Sequence, residues 1–322
     1  MAIEHFRKLV SEDFDAVNAL ILEKIESEVS LIDDLAGHIV QSGGKRLRPL
    51  LVLLSCHACS YKGSDHIKLA AMVEFFHTAT LLHDDVVDES TLRRGKETAN
   101  EIWGSKASIL VGDYLFIQYM QLMIEVGDLN IMRILMEISY DISCGEIKQL
   151  NNRHKPSLSE EEYFDIIRSK TSILFAASAG LGPLISKAHD DVYQGLFHYG
   201  LHLGNAFQVI DDALDYSSDA ETLGKNIGDD LADGKATLPL IYALKHGSEV
   251  QQALIKDSIE HGRIDALPDI MAAIKETNAL DYTRKVAQAE VDKAITALEV
   301  LPDSIYKKTL TELAQFAIER DH

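Results

Sequence analysis

Cysteine, proline, positive charge and long apolar runs are all scarce in this chain. Three cysteines in 322 residues cannot build a disulfide framework and point to a reducing compartment. The six prolines fall at the ends of expected elements, and no low-complexity linker interrupts the chain. One domain over residues 1–322 is therefore the simplest organisation. Basic residues number 31 against 51 acidic ones, for a net charge of −20. That balance argues against nucleic acid or an anionic membrane surface as the main partner. The longest apolar run, Pro49 to Cys56, is too short to cross a bilayer, so no transmembrane segment is expected. The N-terminal stretch MAIEHFRKLVSEDF lacks the apolar core of a signal peptide. Cytoplasm is the expected compartment. Alternating segments rich in β-branched residues are few, which leaves little room for a sheet.

What remains is helical pattern. With 46% hydrophobic and 25% charged residues there is material for a large core. Arg48-Pro49 opens a helix, with proline early enough that its missing N–H costs nothing. Residues 67–88, 112–126 and 130–150 read as helices. A polar stretch from Asn151 to Glu160 reads as a loop, and Ser159-x-x-Glu162 as a capping box for the helix after it. Residues 193–216 form another helix, followed by a loop from Ser217 to Lys235 that is rich in glycine and aspartate. Amphipathic helices complete the chain. The expected fold class is all-α, a single-domain helical bundle around a central cavity, with its site built on facing helices. Cys56-His57-Ala58-Cys59 invites a metal or redox reading, but no second cysteine pair follows. Its place in an apolar helical run assigns it to core packing.

Two copies of one acidic pattern stand out: Asp84-Asp85-Val86-Val87-Asp88 and Asp211-Asp212-Ala213-Leu214-Asp215. Residues i and i+4 share a helix face, so each copy gathers carboxylates closely. Such clusters repel themselves unless cations lie among them, and Mg²⁺ favours a few carboxylates together with substrate phosphates. Leu81-Leu82 before the first copy and Phe207, Val209 and Ile210 before the second place both at the ends of core-facing helices. Arg93 and Arg94 follow the first copy, and Lys225 and Lys235 the second. Gly43-Gly44-Lys45-Arg46-Leu47-Arg48-Pro49 sets three cations at a helix N-terminus, where the dipole disfavours them unless an anion binds there. Acid for metal and base for phosphate, each supplied twice, reads as a diphosphate-handling site.

The stretches GGKRLRP, HTATLLHDDVVDESTLRRG, GDYLF, LGNAFQVIDDALDY and GKNIGDDLADGKATLP resemble, in order, those of the trans-polyprenyl diphosphate synthases. That resemblance implies an all-α bundle around a deep cavity, a homodimer, and condensation of isopentenyl diphosphate with an allylic diphosphate such as farnesyl diphosphate. It also implies Mg²⁺, roughly three ions per site, each on a few carboxylates and phosphate oxygens. By motif, Asp84, Asp85, Asp88, Asp211 and Asp212 are metal ligands and Asp215 a weaker one. Arg93, Lys170, Lys225 and Lys235 neutralise the allylic diphosphate. Gly44, Lys45, Arg48, His77 and Arg94 take isopentenyl diphosphate, while Thr171 and Gln208 lie near the reacting carbons. Asp229, Asp230 and Asp233 support the ligands or belong to a solvated loop.

Product length follows from the residues just before the first acidic pattern. Ala79 and Thr80 stand about one turn from Asp84 on the expected cavity wall. Shorter-chain relatives carry aromatic rings in that region, so a small Ala79 predicts a long product. Phe116, Met120 and Met123 recur at i, i+4 and i+7 and are expected to face one way. Met123 is the expected cavity floor, with Met136 behind it. The pattern is most similar to the octaprenyl-forming bacterial members, which make quinone side chains. A terpene cyclase would carry a different second metal motif and needs no second diphosphate site. A non-catalytic subunit of a heteromeric synthase would have lost motif residues that this chain keeps. At the C-terminus Arg320 is a candidate cation where many relatives end on a basic residue.

Overall fold

The structure is a computed structural model and describes residues 2–41, 44–93, 95–217 and 228–319. Arg94, Lys225 and Arg320 lie outside the described residues. Those described form seventeen α-helices and one short β-ribbon. The first five helices are α1 (Ala2–Lys8), α2 (Ser11–Ile25), α3 (Ser30–Gln41), α4 (Leu47–Ala58) and α5 (Asp65–Val87). In the ribbon, β1 (Leu92–Arg93) is antiparallel to β2 (Lys96–Glu97), with Leu92 opposite Glu97. Then come α6 (Ala99–Trp103), α7 (Ser105–Val126), α8 (Leu129–Asn152) and α9 (Glu160–Ile167). A π-helical turn (Arg168–Ser172) leads from α9 into α10 (Ile173–Ile185), followed by α11 (Asp190–Leu214) and α12 (Asp229–Ala232). The last are α13 (Leu238–His246), α14 (Glu249–His261), α15 (Leu267–Glu276), α16 (Ala279–Ala297) and α17 (Ile305–Phe316).

Contacts divide the chain into two compact units. Unit 1 takes in the residues up to Glu137, then Phe175–His198 and Leu298–Leu313. Its central helix is α5. Leu69, Ala70, Ala71, Met72 and Val73 are all buried, and five consecutive buried residues mean a helix enclosed on every side. Helices α2, α4 and α7 pack against it. This enclosure carries the first acidic pattern to the end of a core helix, and Asp85 is itself buried.

Unit 2 takes in Ile138–Leu174, Tyr199–Ala297 and the residues from Ala314 onward. Its core joins Tyr163 and Ile167 of α9, Val209 and Ile210 of α11, and apolar residues of α13 to α16. The expected capping box is present. Ser159 Oγ accepts from the Glu162 backbone N–H at 3.2 Å, and the Glu162 carboxylate accepts from Ser159 N–H at 2.8 Å.

Three differences from the expected elements bear on the site. Helix α7 starts at Ser105, not Gly112, because Gly104 at φ +83° turns the chain into a first helical turn too polar to announce itself. The stretch 217–235 is not loop throughout, since α12 lies within it. Finally, the stripe Phe116–Met120–Met123 straddles the edge of α7's buried face. Met123 is 2% exposed but Met120 is 38% exposed, and Met136 on α8 is 42% exposed. The buried arc of α7 is centred instead on Val111, Leu115, Tyr119 and Leu122, the set that successive 100° steps align.

By length and composition α7 is apolar enough to cross a membrane. Its buried face packs on α5 as a core helix does. Its other face leaves Ile109, Leu110, Ile117 and Ile124 exposed.

Candidate active site

In unit 1, one cleft is lined by Gly44, Arg46, His77, Asp85, Arg93 and Glu97, among others. It brings together four of the residues singled out by sequence: Gly44, His77, Asp85 and Arg93. Arg93 lies on β1 and folds back on α5. Its Nε donates to both Asp85 oxygens at 2.9 and 3.1 Å, and its Nη2 to Oδ1 at 2.7 Å. The fork of a guanidinium matches both oxygens of a carboxylate, which makes this a strong, oriented pair. Asp84 and Asp88 are half-buried beside it, and Asp88 ends the helix.

Arg48 is held on two sides. Its Nη1 lies 3.0 Å from His77 Nε2, and its guanidinium sits 4.3 Å from the centre of the Phe175 ring. Arginine is only a donor, so His77 accepts through Nε2 and carries any single ring proton on Nδ1. Arg46, by contrast, turns into the unit. It donates to Val40 O at 3.1 Å and to Asn18 Oδ1, and lies 3.8 Å from Glu74. The cation crowding at the start of α4 is thus relieved in part from within. Its backbone is left-handed, at φ +41°, a conformation that costs a non-glycine residue about 1 kcal/mol or more. Lys45 is exposed. Ala79 is buried and Thr80 is half-buried on α5. Phe116 packs with Phe76 and Tyr119, their ring centres 5.0 to 6.0 Å apart. Phe76 and Tyr119 were not foreseen, since single aromatics in apolar helices read only as core.

In unit 2 the other residues meet along α11. Thr171 Oγ1 donates to Gln208 Oε1 at 3.1 Å, and Gln208 Nε2 donates to Asp212 Oδ1 at 2.9 Å. Tyr163 completes the chain, its hydroxyl donating to Asp212 Oδ2 at 2.6 Å. Asp212 is 3% exposed. Burial, then the negative charge of Asp230, pushes its carboxyl well above the ordinary range, with a smaller contribution from Asp211. The hydrogen bonds from Tyr163 and Gln208 only partly oppose this. Two carboxylates near a third in a dry place make a strongly cation-seeking arrangement.

Lys170 and Thr171 lie on the π-helical turn. Lys170 Nζ donates to Glu146 at 2.6 Å and Gln149 at 2.7 Å. Glycines admit the turn: a Cβ on Gly204 would stand 2.6 Å from Ser172 Cα, and one on Gly145 2.9 Å from the Lys170 backbone nitrogen. Beneath the turn, Ser172 Oγ donates to Asn205 Oδ1 at 2.7 Å, and Asn205 Nδ2 donates to Glu290 Oε2 at 2.7 Å. Asp215 is buried and accepts from the Asp230 backbone N–H at 3.3 Å, so it braces the returning chain. Lys235 donates to Asp233 at 2.7 Å and lies 3.9 Å from Asp230. Asp229 opens the short helix α12. Tyr163, Glu146, Asn205 and Glu290 had no sequence signal, because each reaches its partner from far along the chain.

Carboxylate clusters at helix ends, the first bonded to Arg93 and the second buried around Asp212, have the chemistry of a site for divalent cations and phosphates. The comparisons give that chemistry its family. The polyprenyl synthetase profile matches residues 29–277, and the chain belongs to that family. Across all 322 residues, the full length of both chains, it is 45% identical to the octaprenyl diphosphate synthase of Escherichia coli K12. A decaprenyl diphosphate synthase from Rhodobacter capsulatus superposes with a TM-score of 0.94 at 42% identity, over 99% of each chain. A polyprenyl synthase from Caulobacter crescentus, complexed with calcium and isoprenyl diphosphate, gives 0.95 at 41% identity over 99% of this chain and 98% of its own. The chain therefore has the all-α isoprenoid synthase fold. It is a prenyltransferase of isoprenoid biosynthesis, in a family that extends trans-prenyl chains and depends on Mg²⁺.

Proposed function

We propose that this chain is an octaprenyl diphosphate synthase. It adds isopentenyl diphosphate repeatedly to an allylic diphosphate, starting from farnesyl diphosphate, to make the side chain of a quinone. The observation that carries the reading is the meeting of Gly44, His77, Asp85 and Arg93 in one cleft: backbone, a fixed imidazole, a metal-type carboxylate and a guanidinium. The octaprenyl length rests on the 45% identical relative of that name and on the small side chain of Ala79.

The donor set fits Mg²⁺. It consists of hard carboxylate oxygens, and the raised Asp212 carboxyl marks a place where negative charge is crowded and uncompensated. Asp84, Asp85, Asp88, Asp211 and Asp212 would hold about three ions, since Mg²⁺ takes one or two carboxylates and completes its shell with phosphate and water. Asp215, already bonded to the Asp230 backbone, is the weakest candidate. Bound Mg²⁺ supplies electrostatic stabilisation of the leaving diphosphate.

The chain's own groups supply the rest. Arg93, Lys170, Lys225 and Lys235 neutralise the allylic diphosphate as its C–O bond breaks and the electron pair passes to the phosphate. Arg93, Lys170 and Lys235 exchange their present carboxylate partners for phosphate oxygens. Lys45, Arg48 and Arg94 bind isopentenyl diphosphate, with Gly44 N–H at hand and His77 holding Arg48 in line. The isopentenyl double bond attacks the allylic carbon, and a proton then leaves, with the departing diphosphate as its acceptor. Thr171 and Gln208 bond to each other beside the reacting carbons, and an apolar wall that includes Ala79 keeps water from the cation. The enzyme works in the cytoplasm, where Cys56, Cys59 and Cys144 stay as free thiols. It works as a homodimer that covers the apolar outer face of α7.

The test is product length from the purified chain with Mg²⁺, farnesyl diphosphate and radiolabelled isopentenyl diphosphate. The expected result is one dominant octaprenyl product. A product that stops at geranylgeranyl would overturn the length assignment, and no incorporation beside an active control would overturn catalysis by this chain alone.

A further inference from the structure

Unit 1 holds a second group of metal-capable side chains, on helix ends that the reaction does not use. Asp13 lies in the first turn of α2, His57 in the last turn of α4, and His66 in the first turn of α5. His57 Nε2 is 2.5 Å from Asp13 Oδ2, and His66 Nε2 is 3.3 Å from Oδ1. All three ligating atoms lie within 4.8 Å of one another. We propose that Asp13, His57 and His66 form a binding site for a divalent first-row transition metal, Zn²⁺ above all.

The geometry restricts each ring to this use. His57 is stacked on Tyr306, with ring centres 5.1 Å apart and planes at 11°, so its plane is fixed. Tyr61 lies edge-on to His66 at 5.8 Å. The Nδ1 atom of His66 is buried without a hydrogen-bond partner among the described residues, which leaves Nε2, facing Asp13, as its working pole. With zinc–nitrogen and zinc–oxygen distances of about 2.0–2.2 Å, atoms bound to one ion stand no more than about 4.4 Å apart, near the limit within which these three already lie. Small rotamer changes therefore close the three ligands on one ion. Two imidazoles and one carboxylate favour Zn²⁺, Co²⁺ or Ni²⁺ over Mg²⁺ and Ca²⁺, which prefer all-oxygen shells. Three protein ligands leave a fourth position for water.

Such an ion would fasten α2 to α4 and α5 at the ends opposite Arg48 and Asp84. The Cys56-x-x-Cys59 pair is not needed: Cys56 is buried, and Cys59 bonds to Ser186.

The chelator-stripped full chain, saturated with Mg²⁺ to occupy the acidic motifs, would be titrated with Zn²⁺ by calorimetry. Co²⁺ would be followed by its visible absorption. The proposal expects one Zn²⁺ per chain despite excess Mg²⁺, a four-coordinate cobalt spectrum, and a higher Tm. His57→Asn and His66→Asn should each weaken Zn²⁺ by roughly tenfold or more, since each removes a ligand. The double variant D84N/D211N should bind as the native chain does. Absence of Zn²⁺ binding under excess Mg²⁺, or binding undiminished in both histidine variants, would overturn the site and leave a hydrogen-bonded trio. Should an Asn variant fail to fold, the native stoichiometry and cobalt spectrum decide.

Discussion

Tyr163 and Asp212 show how much one hydroxyl can matter. The carboxylate is buried and crowded by Asp230 and Asp211, and among the described residues the side chains of Tyr163 and Gln208 orient it. Tyr163→Phe leaves a buried acceptor short of a donor, which costs about 1–3 kcal/mol. On the proposed reading of Asp212 as a Mg²⁺ ligand, it should also lower metal affinity by about 10–100-fold. A thermal melt and a Mg²⁺ titration of activity check the two parts separately. Ala79 gives a second prediction. Ala79→Tyr should shorten the product to a few prenyl units, while Met123→Ala should lengthen it, as read by product chromatography. Ala79 is buried, so the tyrosine adds strain of about 1–3 kcal/mol, and a Tm measured alongside separates misfolding from chain termination. Unchanged products in both variants would remove these residues from the cavity wall. The acidic patterns were legible in sequence because two neighbouring aspartates and a third at i+4 announce a helix face. Tyr163 was not, since a lone tyrosine far from its carboxylate looks like any core aromatic.

Among the elements, the π-helical turn does the most positioning. It carries Lys170 and Thr171, and it is seated by Gly145 and Gly204 and anchored through Ser172 and Asn205 to Glu290 on α16. Burial alone would raise the Glu290 carboxyl. Hydrogen bonds from His202, Lys293 and Asn205 reverse that and hold it at about 2. A carboxyl whose pKa is lowered by folding contributes its full stability above its ordinary value of 4.5 and loses it as pH falls toward 2. Glu290→Gln should therefore destabilise the protein by about 1.5–3 kcal/mol at neutral pH. The gap between the two melting curves should narrow as pH drops below that value. The variant should also lower kcat more than it raises KM, because it shifts the support under Thr171. The helices themselves were readable from their periodicity, the capping box at Ser159 included. The π turn was not, because Arg168-Ser169-Lys170-Thr171-Ser172 has no pattern that distinguishes five residues per hydrogen bond from four. Its cause lies in the glycines and polar partners across from it, which only the fold supplies.

At the scale of the chain, the outer face of α7 is the surface proposed to cover itself in a homodimer. Ile109, Leu110, Ile117 and Ile124 are exposed on it, with Leu129 beyond, and a contiguous apolar face of this kind marks an interaction surface. The native chain should sediment as a dimer at micromolar concentration. Ile117→Lys with Ile124→Lys should shift it to monomer while leaving each unit folded, because both side chains are more than half exposed. A native monomer would refute the homodimer. The sequence suggested a one-sided methionine stripe on this helix, but Met120 sits toward this outer face. Apolar periodicity alone cannot tell a face that packs on α5 from one reserved for a partner.

The π turn also bears on which lengths of chain this segment tolerates. Tyr163 and Ser172 both reach partners on α11, Asp212 and Asn205. Nine residues apart on a regular helix, they would point about 180° away from each other. A π turn absorbs roughly one extra residue, which brings them to about 80° and lets both reach α11. Deleting one residue between them would leave a regular α-helix in which the pair, now eight residues apart, still stand at about 80° and can still reach both Asp212 and Asn205. A one-residue gap is therefore the length change this stretch should tolerate best, since it removes the π turn and keeps both bonds, whereas an insertion would demand a further bulge.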